Sequence, residues 1–187
     1  MALVSENLKS CGIKISASIG GVPSIGSGIV YVTPNFCDYN YVLTAKHIFQ
    51  EDSQTPYDSS QILNIQLFYS ELKELKKLQY IKKEEVKNRL IVFEKDFLII
   101  LINKTDDIPF NQILVGENLE DSDTDFFSWG VFSANEEQIH KFMFKRNDPS
   151  IKRFEMTSKI EESYLSGMSG AGVFIDGKNI LYGIINS

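Results

Sequence analysis

Residues 41–47 read Tyr41-Val42-Leu43-Thr44-Ala45-Lys46-His47, a run of aromatic and β-branched side chains that ends on one of only two histidines in a chain of 187 residues. Such a run suits a pleated, half-buried surface, and it predicts a β-strand leading straight into the histidine. The same composition recurs on either side. Gly12 to Ser18 reads as a strand, Ile19-Gly20-Gly21-Val22-Pro23 as a turn, and Gly28 to Thr33 as a strand stopped by Pro34. Ile62 to Tyr69 follows the polar loop Asp52 to Ser60, and Leu90 to Phe93 and Phe97 to Ile102 complete the first half. Beyond the linker candidate Lys104-Thr105-Asp106-Asp107-Ile108-Pro109, strands are expected at Phe126 to Phe132, Lys141 to Lys145, Phe154 to Ser158, Val173 to Ile175 and Ile180 to Ile185. Short strands punctuated by glycine and proline predict an all-β chain, its antiparallel sheets folded into a sandwich or barrel. Ser70 to Asn88 stands apart: Leu72, Leu75 and Leu78 recur every three residues among lysines and glutamates, with Val86 further on. That segment predicts a short helix or a charged hairpin, read as a solvated decoration rather than a binding surface.

Bulk properties limit the function. A hydrophobic content of 43% fills the core of one ordinary domain or of two half-domains. The net charge of −6, with basic residues clustered only around Lys73 to Arg89, argues against nucleic acid as the partner. The longest apolar run, Phe97 to Ile102, is far short of the ~20 residues that cross a bilayer. Met1 to Lys9 lacks the basic start and apolar stretch of a secretory signal. Cys11 and Cys37 fit neither a disulfide framework nor a metal motif and read as reduced thiols. Together these features predict a soluble, cytoplasmic protein without a metal or organic cofactor and with no membrane partner.

Three segments carry the residue types of nucleophilic catalysis. A serine hydroxyl becomes a nucleophile when an imidazole accepts its proton and a carboxylate holds the ring. His47 ends a strand, whereas His140 lies in the polar stretch Ala134 to Lys141 and reads as a surface histidine. Asp96 opens Lys95-Asp96-Phe97-Leu98-Ile99-Ile100, another strand start. Ser169 lies in Ser166-Gly167-Met168-Ser169-Gly170-Ala171-Gly172-Val173-Phe174, whose glycines allow a tight turn with N–H groups converging on an oxyanion. Alone, each segment has a bland reading: a structural histidine, a turn aspartate, a Gly/Ser-rich β-turn.

Taken together and in this order, the three segments resemble the trypsin-like serine peptidases. Gly26-Ser27-Gly28 followed by Leu43-Thr44-Ala45-Lys46-His47 is similar to the family's Gly-Ser-Gly strand start and Leu-Thr-Ala-Ala-His strand. The Asp96 segment resembles the family's aspartate-bearing strand, and the Ser169 segment its nucleophile loop. The order His, Asp, Ser excludes the subtilisin and α/β-hydrolase arrangements. The resemblance, from about Gly12 to the end, implies two antiparallel six-stranded β-barrels of the chymotrypsin-like type, with the triad in the cleft between them. Residues 1–104 would form the barrel carrying His47 and Asp96, and residues 105–187 the barrel carrying Ser169. Gly26 and Gly28 would allow close strand packing. The N–H groups of Gly167 and Ser169 would form the oxyanion hole. Ser163 would lie at the base of the first substrate pocket, favouring small or apolar side chains, and Tyr164 and Leu165 would either line its wall or pack in the core. The substrate would be a protein or peptide.

Departures from the family are as informative. Met168 stands where digestive members carry an aspartate that pairs with a freed N-terminus, and no Ile-Val-Gly-Gly start is present. Activation by N-terminal trimming is therefore not expected, and the pattern is closer to the HtrA-like and viral branches. Gly172 stands where proline is common. Tyr182 to Ser187 resembles the beginning of the family's substrate-binding edge. The expectation is a second barrel truncated at its C-terminus, belonging to a domain excised from a longer bacterial defence or signalling protein. Two rival readings stay open: a catalytically idle trypsin-fold binding module, and an unrelated all-β interaction domain.

Overall fold

A computed structural model of the chain describes residues 7–51, 55–71, 74–105, 107–108, 110–116, 125–131, 138–148, 153–156 and 167–186. In chain order its elements are β1 (Gly12–Ile19), β2 (Val22–Tyr31), β3 (Tyr39–Thr44), β4 (Ile62–Glu71), β5 (Glu74–Lys82), α1 (Lys83–Arg89), β6 (Leu90–Val92) and β7 (Leu98–Asn103). After these come β8 (Leu114–Val115), β9 (Phe126–Gly130), β10 (His140–Asp148), β11 (Arg153–Met156), β12 (Gly172–Ile175) and β13 (Ile180–Ile184). They form two sheets, ordered β5-β4-β1-β2-β3-β7-β6 and β11-β10-β9-β12-β13-β8. The fold is all-β, and its pairing is antiparallel except where β8 runs parallel to β13. The first sheet has seven strands, one more than expected, because the charged stretch supplies β5.

Alternation of side chains builds the first core. Ile13, Ile15, Ala17 and Ile19 of β1 point inward and meet Val42 of β3 and Leu98, Ile100 and Ile102 of β7. The β1–β2 hairpin turns on Gly20 and Gly21, at φ +57° and +91°, between the paired Ile19 and Val22. Two successive positive φ values are what a two-residue turn matching strand twist requires, and glycine adopts them without a steric penalty. The sheet curls into a half-barrel, and its far strands meet through side chains. Gln79 Oε1 of β5 accepts the Asn103 N–H of β7 at 2.8 Å, and Arg89 Nη1 donates to Asn103 Oδ1 at 2.9 Å.

β2 is buried on both faces from Gly26 to Val30, and this joins the sheets. Val30 faces the first core, while Ile29 joins Leu8, Cys11, Phe127, Trp129, Phe174 and Leu181 in a second core between the sheets. Burial pushes the Cys11 thiol up to about 11, so it stays protonated at neutral pH. A third core within the second sheet contains Phe126, Phe142, Phe144, Met168, Val173 and Ile175.

The charged segment is both a hairpin strand and a helix, and it is not a solvated decoration. β5 pairs with β4 from Asn64↔Lys82 to Glu71↔Glu74, with Ile81 fully buried, and Val86 of α1 is 1% exposed. Register skips Leu78 between Leu67↔Gln79 and Phe68↔Lys77, so Leu78 is the extra residue of a β-bulge. The bulge lets Leu75, Leu78 and Ile81 turn inward at three-residue intervals, a spacing that mimics a helix. Ile81→Ala is accordingly expected to cost about 2–5 kcal/mol in denaturant unfolding. A solvated strand would lose no more than about 0.5 kcal/mol. Among the described residues, no helix is long and apolar enough to cross a membrane.

Candidate active site

Antiparallel pairing of β3 with β7 brings His47 and Asp96 to one end of the first sheet. Thr44, the last residue of β3, lies opposite Leu98, the first of β7. The chain past Thr44 and the chain before Leu98 therefore leave the sheet side by side. After an extended Ala45, residues Lys46–Phe49 form one 3-10 turn, anchored by the buried Ile48 and Phe49. On the other strand Phe93 N–H donates to Phe97 O at 3.2 Å, closing the loop that presents Asp96.

The carboxylate is held at both oxygens. Asp96 Oδ1 accepts the backbone N–H of His47 at 2.7 Å, and Oδ2 lies 2.5 Å from His47 Nδ1. A carboxylate only accepts, so this contact selects the imidazole tautomer with its proton on Nδ1 and leaves Nε2 with a lone pair. The His47 and Asp96 side chains are 28% and 23% exposed, so the pair lies at the edge of solvent. The arrangement can accept a proton at Nε2 and hold the resulting cation against Asp96.

The loop carrying Ser169 is tied to the same strands. Ser27 of β2 donates its N–H to Ser169 O at 2.8 Å and its hydroxyl to Gly167 O at 2.6 Å, and its Oγ accepts the Val131 N–H at 3.0 Å. Thr44 Oγ1 in turn donates to Ser27 O at 2.7 Å. Gly170 N–H donates to Ile185 O at 2.8 Å, Ile185 N–H to Ala171 O at 2.9 Å, and Ala171 N–H closes the turn on Met168 O at 2.9 Å. A Cβ on Gly26 would overlap Ile48 and lie 3.1 Å from Ser169 O, so glycine lets the loop and the His47 turn approach β2 together. Ser169 is 4% exposed, and Met168 packs in the third core at 3%.

Not every residue singled out in the sequence falls here. His140 opens β10 opposite Gly130 and is half-buried rather than on the surface. Ser163, Tyr164 and Leu165 lie outside the described residues. Ser27, which anchors the Ser169 loop, carries no role in the sequence reading, although a serine between two strand glycines is a visible signal. Among the described residues, no three His, Cys, Asp or Glu side chains converge as a metal site would require.

No protein-family model matches the chain, and no curated protein matches it by sequence. Solved structures do match. The HtrA-type protease AlgW with tripeptide superposes at TM-score 0.58 with 14% identity, over 96% of this chain and 51% of its own. Deg5 superposes at 0.59 with 14% identity, over 97% and 81%. The tobacco etch virus protease complexed with product superposes at 0.54 with 13% identity, over 97% and 69%. The chain thus spans about half the length of AlgW. With 96–97% of its length covered by these matches, the chain has the fold of the chymotrypsin-like serine proteases.

Proposed function

We propose that the chain is a serine endopeptidase with Ser169 as nucleophile, His47 as base and Asp96 as orienting acid. The observation that carries the reading is the two-point hold of Asp96 on His47, which sets the imidazole tautomer a general base needs. Ser169 Oγ attacks the peptide carbonyl carbon as its proton passes to His47 Nε2, and the N–H groups of Gly167 and Ser169 donate to the oxyanion. The C–N bond then breaks, and His47 returns the proton to the departing amine. Water, deprotonated by the same imidazole, releases the acyl group and restores Ser169. Ser163 and Tyr164 would shape the first substrate pocket for small or apolar side chains. Met168, packed in an apolar core, has no carboxylate with which to answer a freed N-terminus, so the reading includes activity without processing.

The proposal extends to a division of labour at residues 104 and 105, with His47 and Asp96 before it and Ser169 after. It also extends to work as the protease module of a longer regulated protein, which the greater length of AlgW supports. The two free cysteines fit a reducing cytoplasm. Incubation with reduced, alkylated casein tests the activity. New peptide termini following small or apolar residues are expected from the untreated chain. Intact casein across conditions and chain lengths would favour the idle binding module.

A further inference from the structure

Lys46 immediately precedes His47, at a position where the resembling family carries alanine. Its half-buried side chain crosses to the loop between β6 and β7, where Nζ donates to Phe93 O at 3.2 Å and to Glu94 O at 3.1 Å. Asp96 is two residues further along. Phe93, Glu94 and Lys95 are exposed, and the loop's internal ties are the Phe93–Phe97 hydrogen bond, a Phe97 N–H to Lys95 O bond of 2.7 Å and a contact of the Phe93 and Phe97 rings at 5.0 Å. Exposed segments with few buried contacts open locally at small cost. Two neighbouring residues of one turn thus grip this loop: His47 holds the Asp96 carboxylate, and Lys46 holds the backbone leading to it. An ammonium carries three donors and makes charge-assisted bonds to carbonyls, whereas alanine could make none.

We propose that Lys46 is a positioning residue, an ammonium clamp that fixes the Asp96 loop so that both carboxylate oxygens stay on His47. The role in catalysis rests on the reading of His47 and Asp96 as base and orienting acid. The clamp itself does not. Because misplacing a catalytic group by about an ångström costs up to about 10²-fold, Lys46→Ala is expected to lower kcat by ~10–100-fold with KM unchanged. Lys46→Arg, which keeps a cation and several donors, should recover most of the rate. Lys46→Met, which keeps the stem and loses the cation, should fall with alanine.

A second readout is independent of turnover: proton NMR of the His47 Nδ1 hydrogen, with thermal melting alongside to confirm that each variant is folded. A protected Nδ1 proton is expected in the unaltered chain and in Lys46→Arg, and a broadened or lost one in Lys46→Ala and Lys46→Met. Unchanged spectra in those two variants would overturn the clamp, as would a methionine variant indistinguishable from the unaltered chain or an unaltered chain without the protected proton. Should no substrate be hydrolysed while the proton follows the expected pattern, the peptidase reading fails and the clamp stands.

Discussion

Asp96→Asn is expected to lower kcat for peptide hydrolysis by about 10⁴-fold while leaving KM near its original value. Geometry dictates which way the amide must turn. The His47 backbone N–H donates to Asp96 Oδ1 at 2.7 Å, so the amide oxygen has to occupy that position. Its NH₂ then faces His47 Nδ1, where an oxygen now sits at 2.5 Å. Two donors cannot share that contact, and the imidazole must shed its Nδ1 proton and carry one on Nε2 instead. An Nε2–H cannot accept the Ser169 proton. The shape of the site survives, so substrate binding should too. Steady-state kinetics with a peptide substrate, and ¹⁵N NMR of the imidazole to read the tautomer, check the two halves of this expectation. A loss under tenfold would show that the pair does not limit the chemistry.

A second large effect, on stability, is expected at Gly170. Its φ of +85° already disfavours any side chain, and a Cβ there would overlap the Ser27 carbonyl oxygen and Thr44 Oγ1 and lie 2.9 Å from Ala45 N. Backbone strain of about 1–2 kcal/mol adds to overpacking of about 1–3 kcal/mol, so Gly170→Ala should cost roughly 2–5 kcal/mol. At ~2–4 °C per kcal/mol for a chain of this size, thermal melting should fall by about 10 °C. Gly177 offers the control: its φ is +76° with no atom within 4 Å of the added Cβ. Gly177→Ala should show the backbone cost alone, about 1–2 kcal/mol. Equal losses at the two glycines would mean that the Ser169 loop is not wedged against β2 and β3.

Strand composition made most of the fold legible because β1, β3 and β7 are short runs rich in β-branched, aromatic and apolar residues, bounded by glycine or polar turns. The segment 41–47 located β3 and its histidine within two residues. One element was left undecided between helix and hairpin and one was missed, both for physical reasons. β5 hid behind the bulge at Leu78, which replaced a two-residue spacing with a three-residue one. β8 has two exposed residues, Leu114 and Val115, and exists only through pairing with the distant Ile180 and Leu181. In the site, the contact of His47 with Asp96 followed from the resemblance of their two segments to the family's histidine and aspartate strands. The partners of Ser27 and Lys46 did not, because their hydrogen bonds run to backbone atoms far along the chain, and backbone acceptors leave no mark in a sequence.

The most direct test of the central claim is covalent labelling with a fluorophosphonate probe, read by mass and mapped to a residue in the unaltered chain, in Ser169→Ala and in His47→Ala. One adduct on Ser169 is expected in the unaltered chain and none in either variant, since the probe reacts with a serine only when a base draws off its proton. An adduct elsewhere, or undiminished labelling of Ser169 without His47, would contradict the account.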